Sequence, residues 1–160
     1  MRKLYITLIA LLALAAAAAA QPRAVGLRLP AFGAFGSEFS YEHYIGPNDM
    51  FVEVDLGVQR YTGFQATGTV NWELWHPVLT DRGDWTVYAG PGMTLGFVEY
   101  NDKHNVDFMI GLTAQIGLEY QFWFPLALSA DIRPIFGFSH GYYKYGNYGF
   151  IPSISARYYF

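Results

Sequence analysis

The sequence predicts an all-β fold, an eight-stranded antiparallel up-and-down transmembrane β-barrel behind an N-terminal signal peptide. Three observations predict it. Beyond residue 20 no run of about 18 apolar residues survives, so no helix can span a bilayer. Yet the composition is 52% hydrophobic and 19% aromatic, with only 14% charged residues against a usual share of about 25%. Those apolar residues recur at every second position in eight segments separated by turn residues, the period of a strand with one face in an apolar medium. A bilayer admits only helices and closed barrels, because every backbone polar group must find its partner within the protein.

The leader comes first. Met1-Arg2-Lys3 is a short basic region, Leu4 to Leu14 an apolar one, and the alanine run ending Ala18-Ala19-Ala20 before Gln21 fits a small-residue cleavage site. Residues 1–20 are therefore read as a signal peptide and 21–160 as one barrel domain. Removing Arg2 and Lys3 leaves eight Lys/Arg against thirteen Asp/Glu. With no basic stripe, nucleic acid is not an expected partner. The chain has no cysteine, which excludes disulfides, thiol chemistry and a lipidated N-terminal Cys.

Strands are expected at 24–30, 36–45, 50–60, 64–76, 84–98, 107–122, 126–138 and 148–160. The first alternates Val25, Leu27 and Leu29 with Gly26 and Arg28. The second sets Phe39, Tyr41 and Ile45 against Glu38, Ser40, Glu42 and Tyr44, and ends in the turn-forming Gly46-Pro-Asn-Asp49. Met50, Val52, Val54, Leu56 and Val58 then oppose Phe51, Glu53, Asp55, Gly57 and Gln59. In the fourth, Phe64 to Leu74 carries the apolar set, with Gln65, Thr67, Thr69, Asn71 and Glu73 opposite. The fifth, starting at Trp85, has an opposite face of Thr, Tyr and Gly. The sixth is the cleanest, Phe108 through Phe122 alternating with Asp107 through Gln121. Trp123-Phe-Pro125 turns into the seventh, whose inward set includes Ser129, Asp131 and Arg133. The last alternates Phe150, Pro152, Ile154, Ala156, Tyr158 and Phe160 with Ile151, Ser153, Ser155, Arg157 and Tyr159. Pro91 and Pro134 fall inside strands, where each removes a ladder donor; local distortion without a full bulge is expected, since alternation keeps phase across both.

Alternation alone also fits a soluble barrel with an apolar interior. Charge decides between them. The apolar face is almost free of charge along the whole domain, as lipid requires. The polar face is rich in Gly, Thr and Ser, which suits a narrow interior that side chains must just fill. Aromatic residues gather at both strand ends, Tyr41, Trp72, Tyr120, Phe122, Trp123, Tyr158 and Phe160 at one and Phe64, Phe97, Phe108, Phe136, Phe138 and Phe150 at the other. The twelve residues from Phe108 to Tyr120 would cover roughly 30 Å at about 3.3 Å rise and about 40° tilt. An even strand count puts both chain ends and the turns 46–49, 77–83 and 123–125 on the periplasmic side.

The leader, the eight short strands and the terminal Ser155-Ala-Arg-Tyr-Tyr-Phe160 resemble the small eight-stranded outer-membrane proteins of Gram-negative bacteria, the OmpX/opacity-like superfamily. Within it, Gly26-Leu-Arg-Leu29, Glu38-Phe-Ser-Tyr41, Val54-Asp-Leu-Gly57, Gly90-Pro-Gly92, Gln115-Ile-Gly-Leu-Glu-Tyr120 and Leu128-Ser-Ala-Asp-Ile-Arg-Pro134 look like an uncharacterised porin-like subgroup. The resemblance covers 24–160 and implies a bacterial outer-membrane location, cleavage near Ala20/Gln21, and lipid and the assembly machinery as partners. It further implies that Tyr158 and Phe160 act as the assembly signal.

The inward set holds Arg28, Glu38, Glu42, Glu53, Asp55, Glu73, Glu119, Asp131, Arg133 and Arg157. Carboxylate pairs can do acid–base chemistry. In a narrow barrel, Arg forks bridging Asp and Glu serve instead to fill and close the lumen, because buried charges must pair. His43, His76, His104 and His140 never fall at metal-ligand spacing, and no cofactor is expected. Ser139-His140 invites comparison with lipid A deacylases and acyltransferases. However, position 142 is Tyr rather than Ser, no acid lies nearby, and neighbouring strand residues point to opposite faces. The expected role is a monomeric, non-enzymatic barrel, structural or binding a surface ligand through its external loops. Among these, 139–147 offers Tyr142, Tyr143, Lys144 and Tyr145. A lipid-modifying enzyme and a small channel are the alternatives.

Overall fold

A computed structural model of the chain describes residues 23–31, 35–45, 49–59, 63–100, 105–139 and 150–160. Nine hydrogen-bonded segments follow in order: β1 (Arg23–Pro30), β2 (Phe35–Tyr44), β3 (Met50–Gln59), β4 (Gly63–Trp75), β5 (Asp84–Tyr100), β6 (Asn105–Gln121), β7 (Leu126–Arg133), β8 (Ile135–Ser139) and β9 (Ile151–Tyr159). β7 and β8 are the two halves of one strand interrupted at Pro134, both pairing antiparallel with β6. The result is an eight-stranded antiparallel barrel. Consecutive strands pair, and β9 closes the sheet on β1, with Val25 opposite Tyr158 and Leu29 opposite Ile154. The expected boundaries hold to within a few residues, apart from the break at Pro134.

Alternation sorts the side chains as expected, and the sorting is inside-out relative to a soluble protein. Of the 26 side chains buried among the described residues, 20 are polar or charged. The outer wall carries Leu27, Phe39, Val58, Met93, Phe108, Leu112, Phe136 and Ile154, all exposed. Trp72, Trp123, Tyr158 and Phe160 stand exposed near the turn end, and Phe97, Phe108, Phe136 and Phe150 near the loop end.

The two strand prolines behave differently. At Pro134 the ladder breaks but the register does not slip. Ile116 opposes Ile132 on one side of the break and Thr113 opposes Ile135 on the other, the same offset. The Pro134 carbonyl still accepts the Ala114 N–H at 3.3 Å. The return bond is missing for want of a donor, and the Thr113 hydroxyl fills the gap, 2.7 Å from the Pro134 carbonyl and 3.3 Å from that of Ala114. At Pro91, β5 runs on unbroken and stays paired to β6. Only the β4 side loses pairing, between Thr69↔Gly92 and Trp72↔Ala89, again with no change of offset. Gly90 permits this: a Cβ there would sit 1.8 Å from the Val70 carbonyl oxygen, so the two backbones press together where proline offers no donor. True register shifts lie elsewhere, at Phe35/Glu38 and at Glu73/Trp75. The second turns both Leu74 and Trp75 outward, each 62% exposed, where strict alternation would hide one of them.

The connections at one end are short: Ile45 N–H to the Met50 carbonyl at 2.8 Å closes the first, and Phe122 N–H to the Leu126 carbonyl at 2.9 Å the third. Both Arg23 and Phe160 lie at this turn end, where the Phe160 N–H donates to the Arg23 carbonyl at 2.9 Å.

Candidate functional site

The residues that could carry chemistry meet in the lumen. Each reaches it by the two-residue period of its strand, and barrel closure brings together positions more than a hundred residues apart. Arg28 on β1 lies opposite Glu38 on β2 and donates to it through Nη1 at 2.7 Å. Its other edge forms a fork on Asp131 of β7, Nη2 to Oδ1 at 2.7 Å and Nε to Oδ2 at 3.2 Å. The planar guanidinium matches the carboxylate in this two-point contact.

Arg133, also on β7, forms an ion pair with Asp55 at 2.6 Å and donates to Glu53 at 3.3 Å, with Glu38 at 3.8 Å. Arg157 on β9 donates to Glu53 at 2.5 Å, forms an ion pair with Glu42 at 3.0 Å, and lies 3.4 Å from Glu119. Its remaining N–H groups reach Ser40 at 3.1 Å and Ser129 at 2.8 Å. Glu38 is thus shared by two arginines and so is Glu53, and the three cation clusters form one connected network. All nine charged groups are at most 6% exposed. Among the described residues this network joins three guanidiniums to six carboxylates.

The opposite wall is uncharged. Thr67 and Thr94 share a hydrogen bond of 2.9 Å, Thr69 donates to Gln115 at 2.8 Å, and Asn71 donates to Thr69 at 3.0 Å. Gln115 ties the two walls together, its Nε2 donating to Glu53 at 2.8 Å. Toward the turn end the filling becomes aromatic. Tyr44 packs on Phe51 and Phe51 edge-on against Tyr88, with ring centroids 5.4 and 5.3 Å apart. The Tyr88 ring lies over Gly117, directly opposite on β6, where a Cβ would come within 2.4 Å of the phenol oxygen. Tyr159 donates to Glu119 at 2.7 Å and to Glu42 at 3.3 Å, linking the aromatic layer to the ionic one.

Of the ten inward charges read from the sequence, nine join the network and Glu73 does not. Glu73 sits at the turn-end mouth, accepting from the Tyr44 hydroxyl at 2.7 Å and lying 3.4 Å from His76 Nε2. The separation follows from strand position, since Glu73 lies near the turn end of β4, on the last rung before the register shift. Sequence reasoning passed over Phe51, Tyr88, Tyr159 and Gln115. Alternation does point them inward, but a search for charge ignores residues that fill space or donate a single bond. His140 and the loop candidates Tyr142, Tyr143, Lys144 and Tyr145 lie outside the described residues, as do the signal peptide and the side chain of Ser139. Tyr158 is exposed on the outer wall of β9, opposite Leu126 and Val25, and Phe160 is exposed beside it at the chain end. No group of three or more metal-ligating side chains comes together among the described residues.

No family model matches this chain, and no curated protein matches it. Among solved structures, it is similar to the N-terminal β-barrel domain of Pseudomonas aeruginosa OprF, with a TM-score of 0.59 at 13% identity. The match covers 88% of this chain and 96% of that domain. At that identity the likeness concerns the fold, an eight-stranded closed antiparallel barrel.

Proposed function

We propose that this chain is an integral outer-membrane β-barrel whose lumen is closed by its own side chains, and that it acts as a rigid membrane base for its external loops. The observation that carries this reading is the inverted distribution of charge. Nine ionisable side chains lie buried and paired inside, while the outer wall is apolar and flanked at both ends by exposed aromatic rings. In water such a wall would be a continuous adhesive surface; in lipid it is the expected one. Likeness to a solved β-barrel domain supports the architecture.

The packing described above supports a closed lumen. An ion entering the barrel would have to separate guanidinium–carboxylate pairs that are shielded from water, where breaking one costs several kcal/mol. Below them it would meet the Tyr44, Phe51 and Tyr88 rings. The surface role falls to the loops, chiefly 139–147 with its tyrosines and Lys144. Planar-bilayer recording on the refolded, full-length mature chain tests the closed lumen. No sustained conductance is expected; stable open steps at moderate voltage would replace this reading with that of a small channel.

A further inference from the structure

We propose that the outer wall over β6, β7 and β9 holds one phospholipid of the leaflet at the turn end, with an acyl chain in an alanine-floored groove and a zwitterionic phosphoethanolamine headgroup at the 80–84 turn. This rests on the membrane reading above and names a specific ligand for it.

The groove is made by two adjoining hollows of about 520 and 670 Å³ that share Leu29, Leu118, Ala130 and Ile154. Its cause lies in the register. In successive cross-strand rows Ala156 lies between Leu128 and Leu27, and Ala130 lies between Leu118 and Ile154. Two one-carbon side chains, diagonal to each other on neighbouring strands, leave a trough among branched four-carbon ones. A flexible hydrocarbon chain fills such a trough and gains contacts along its length. A second barrel would present a convex wall and span the trough instead of entering it.

The turn end of the groove is polar in a particular way. Trp85 and Tyr120 form its wall there, with ring centroids 4.7 Å apart. Their polar tips point into the turn: Trp85 Nε1 donates to Thr80 Oγ1 at 3.0 Å, and the Tyr120 hydroxyl donates to the Arg82 carbonyl. This is how amphipathic rings sit at headgroup level. Beside them the turn exposes Asp81, Arg82 and Asp84, one cation among two anions. A phosphate with an attached ammonium complements that set, whereas a purely anionic headgroup would meet two carboxylates for one guanidinium.

The test uses the chain's four tryptophans. Two single-tryptophan proteins are made, one keeping Trp85 and one keeping Trp72 on the far wall, the others changed to Phe. Each is refolded into vesicles of phosphatidylethanolamine and phosphatidylglycerol in which only the phosphatidylethanolamine carries brominated, fluorescence-quenching chains. Trp85 is expected to reach half-maximal quenching at an about fivefold lower fraction of brominated lipid than Trp72. The gap should vanish in Ala130→Phe/Ala156→Phe, which fills the trough, and when the bromine is moved to phosphatidylglycerol. Coincident curves overturn the proposal, and so does weaker quenching at Trp85, which would mean that protein covers the groove. A gap that survives the change of labelled lipid overturns the headgroup assignment. Absence of quenching at both tryptophans would instead remove the membrane reading on which the proposal stands.

Discussion

Glu53 is the residue on which the lumen turns. It accepts from Arg157, Arg133 and Gln115, three side chains on three different strands, and it is wholly buried. Replacing it by Gln keeps the volume but leaves two buried guanidiniums short of an anion. Such a loss costs about 3–5 kcal/mol, because the surviving charge remains desolvated. We therefore expect Glu53→Gln to lower the urea midpoint of the refolded protein, followed by tryptophan fluorescence. Glu53→Gln/Arg157→Met should cost less than the two single changes together. Additive losses would show that the pair is not coupled. Added salt should not mimic the mutation, since burial shields the network from screening. At this scale the sequence was half legible. Period-2 alternation assigns Glu53, Arg133 and Arg157 to the inside, because a strand leaves a side chain only two directions. It does not say which arginine meets which acid. That depends on the stagger of strands around the closed barrel, which places Arg157 beside Glu53, more than a hundred positions away.

Strand proline is where an element's own chemistry conflicts with its place in the ladder, and the two cases are resolved by different neighbours. At Pro91 the neighbour is a glycine, which lets the Val70 carbonyl approach the backbone at Gly90. At Pro134 it is a hydroxyl, with Thr113 donating where the missing N–H would have done. Thr113→Val removes that donor without changing shape and leaves the Ala114 carbonyl without a compensating bond. A net cost of about 1 kcal/mol is expected. In a Pro134→Ala background, where the ladder bond can form, the same change should cost clearly less. Equal costs in the two backgrounds, measured by urea unfolding, would detach Thr113 from the proline. The phase-preserving sequence around both prolines already argued against a slip, and the offsets to β6 and β4 agree. The register shift at Glu73/Trp75 was not legible, because Leu74-Trp75 reads equally well as one outward and one inward residue until its partner Val87 is known. Thr113, likewise, is one of several inward threonines, and only its place beside the break at Pro134 tells it apart from the rest.

For the molecule as a whole, the costly step is closure, because β1 and β9 pair across nearly the full length of the domain and long-range pairing is slow. Phe160 sits at this seam in two capacities. Its N–H donates to the Arg23 carbonyl at 2.9 Å, adding a rung beyond the end of β9. Its ring, 62% exposed at the turn end, belongs to the apolar belt and is the residue that the resemblance to small outer-membrane barrels marks as an assembly signal, together with Tyr158. Two variants separate these roles. Phe160→Ala keeps the backbone rung and loses the ring, whereas deletion of Phe160 loses both. If the ring is the signal, both variants should refold into vesicles much as the parent does, and both should accumulate unassembled in cells. The readout is the fraction of outer-membrane protein that keeps the faster gel mobility of a folded barrel without heating. If the rung matters instead, only the deletion should fail, and it should fail in vesicles as well. Normal assembly of both variants in cells would leave Phe160 as one more ring of the belt and move the burden of recognition onto Tyr158.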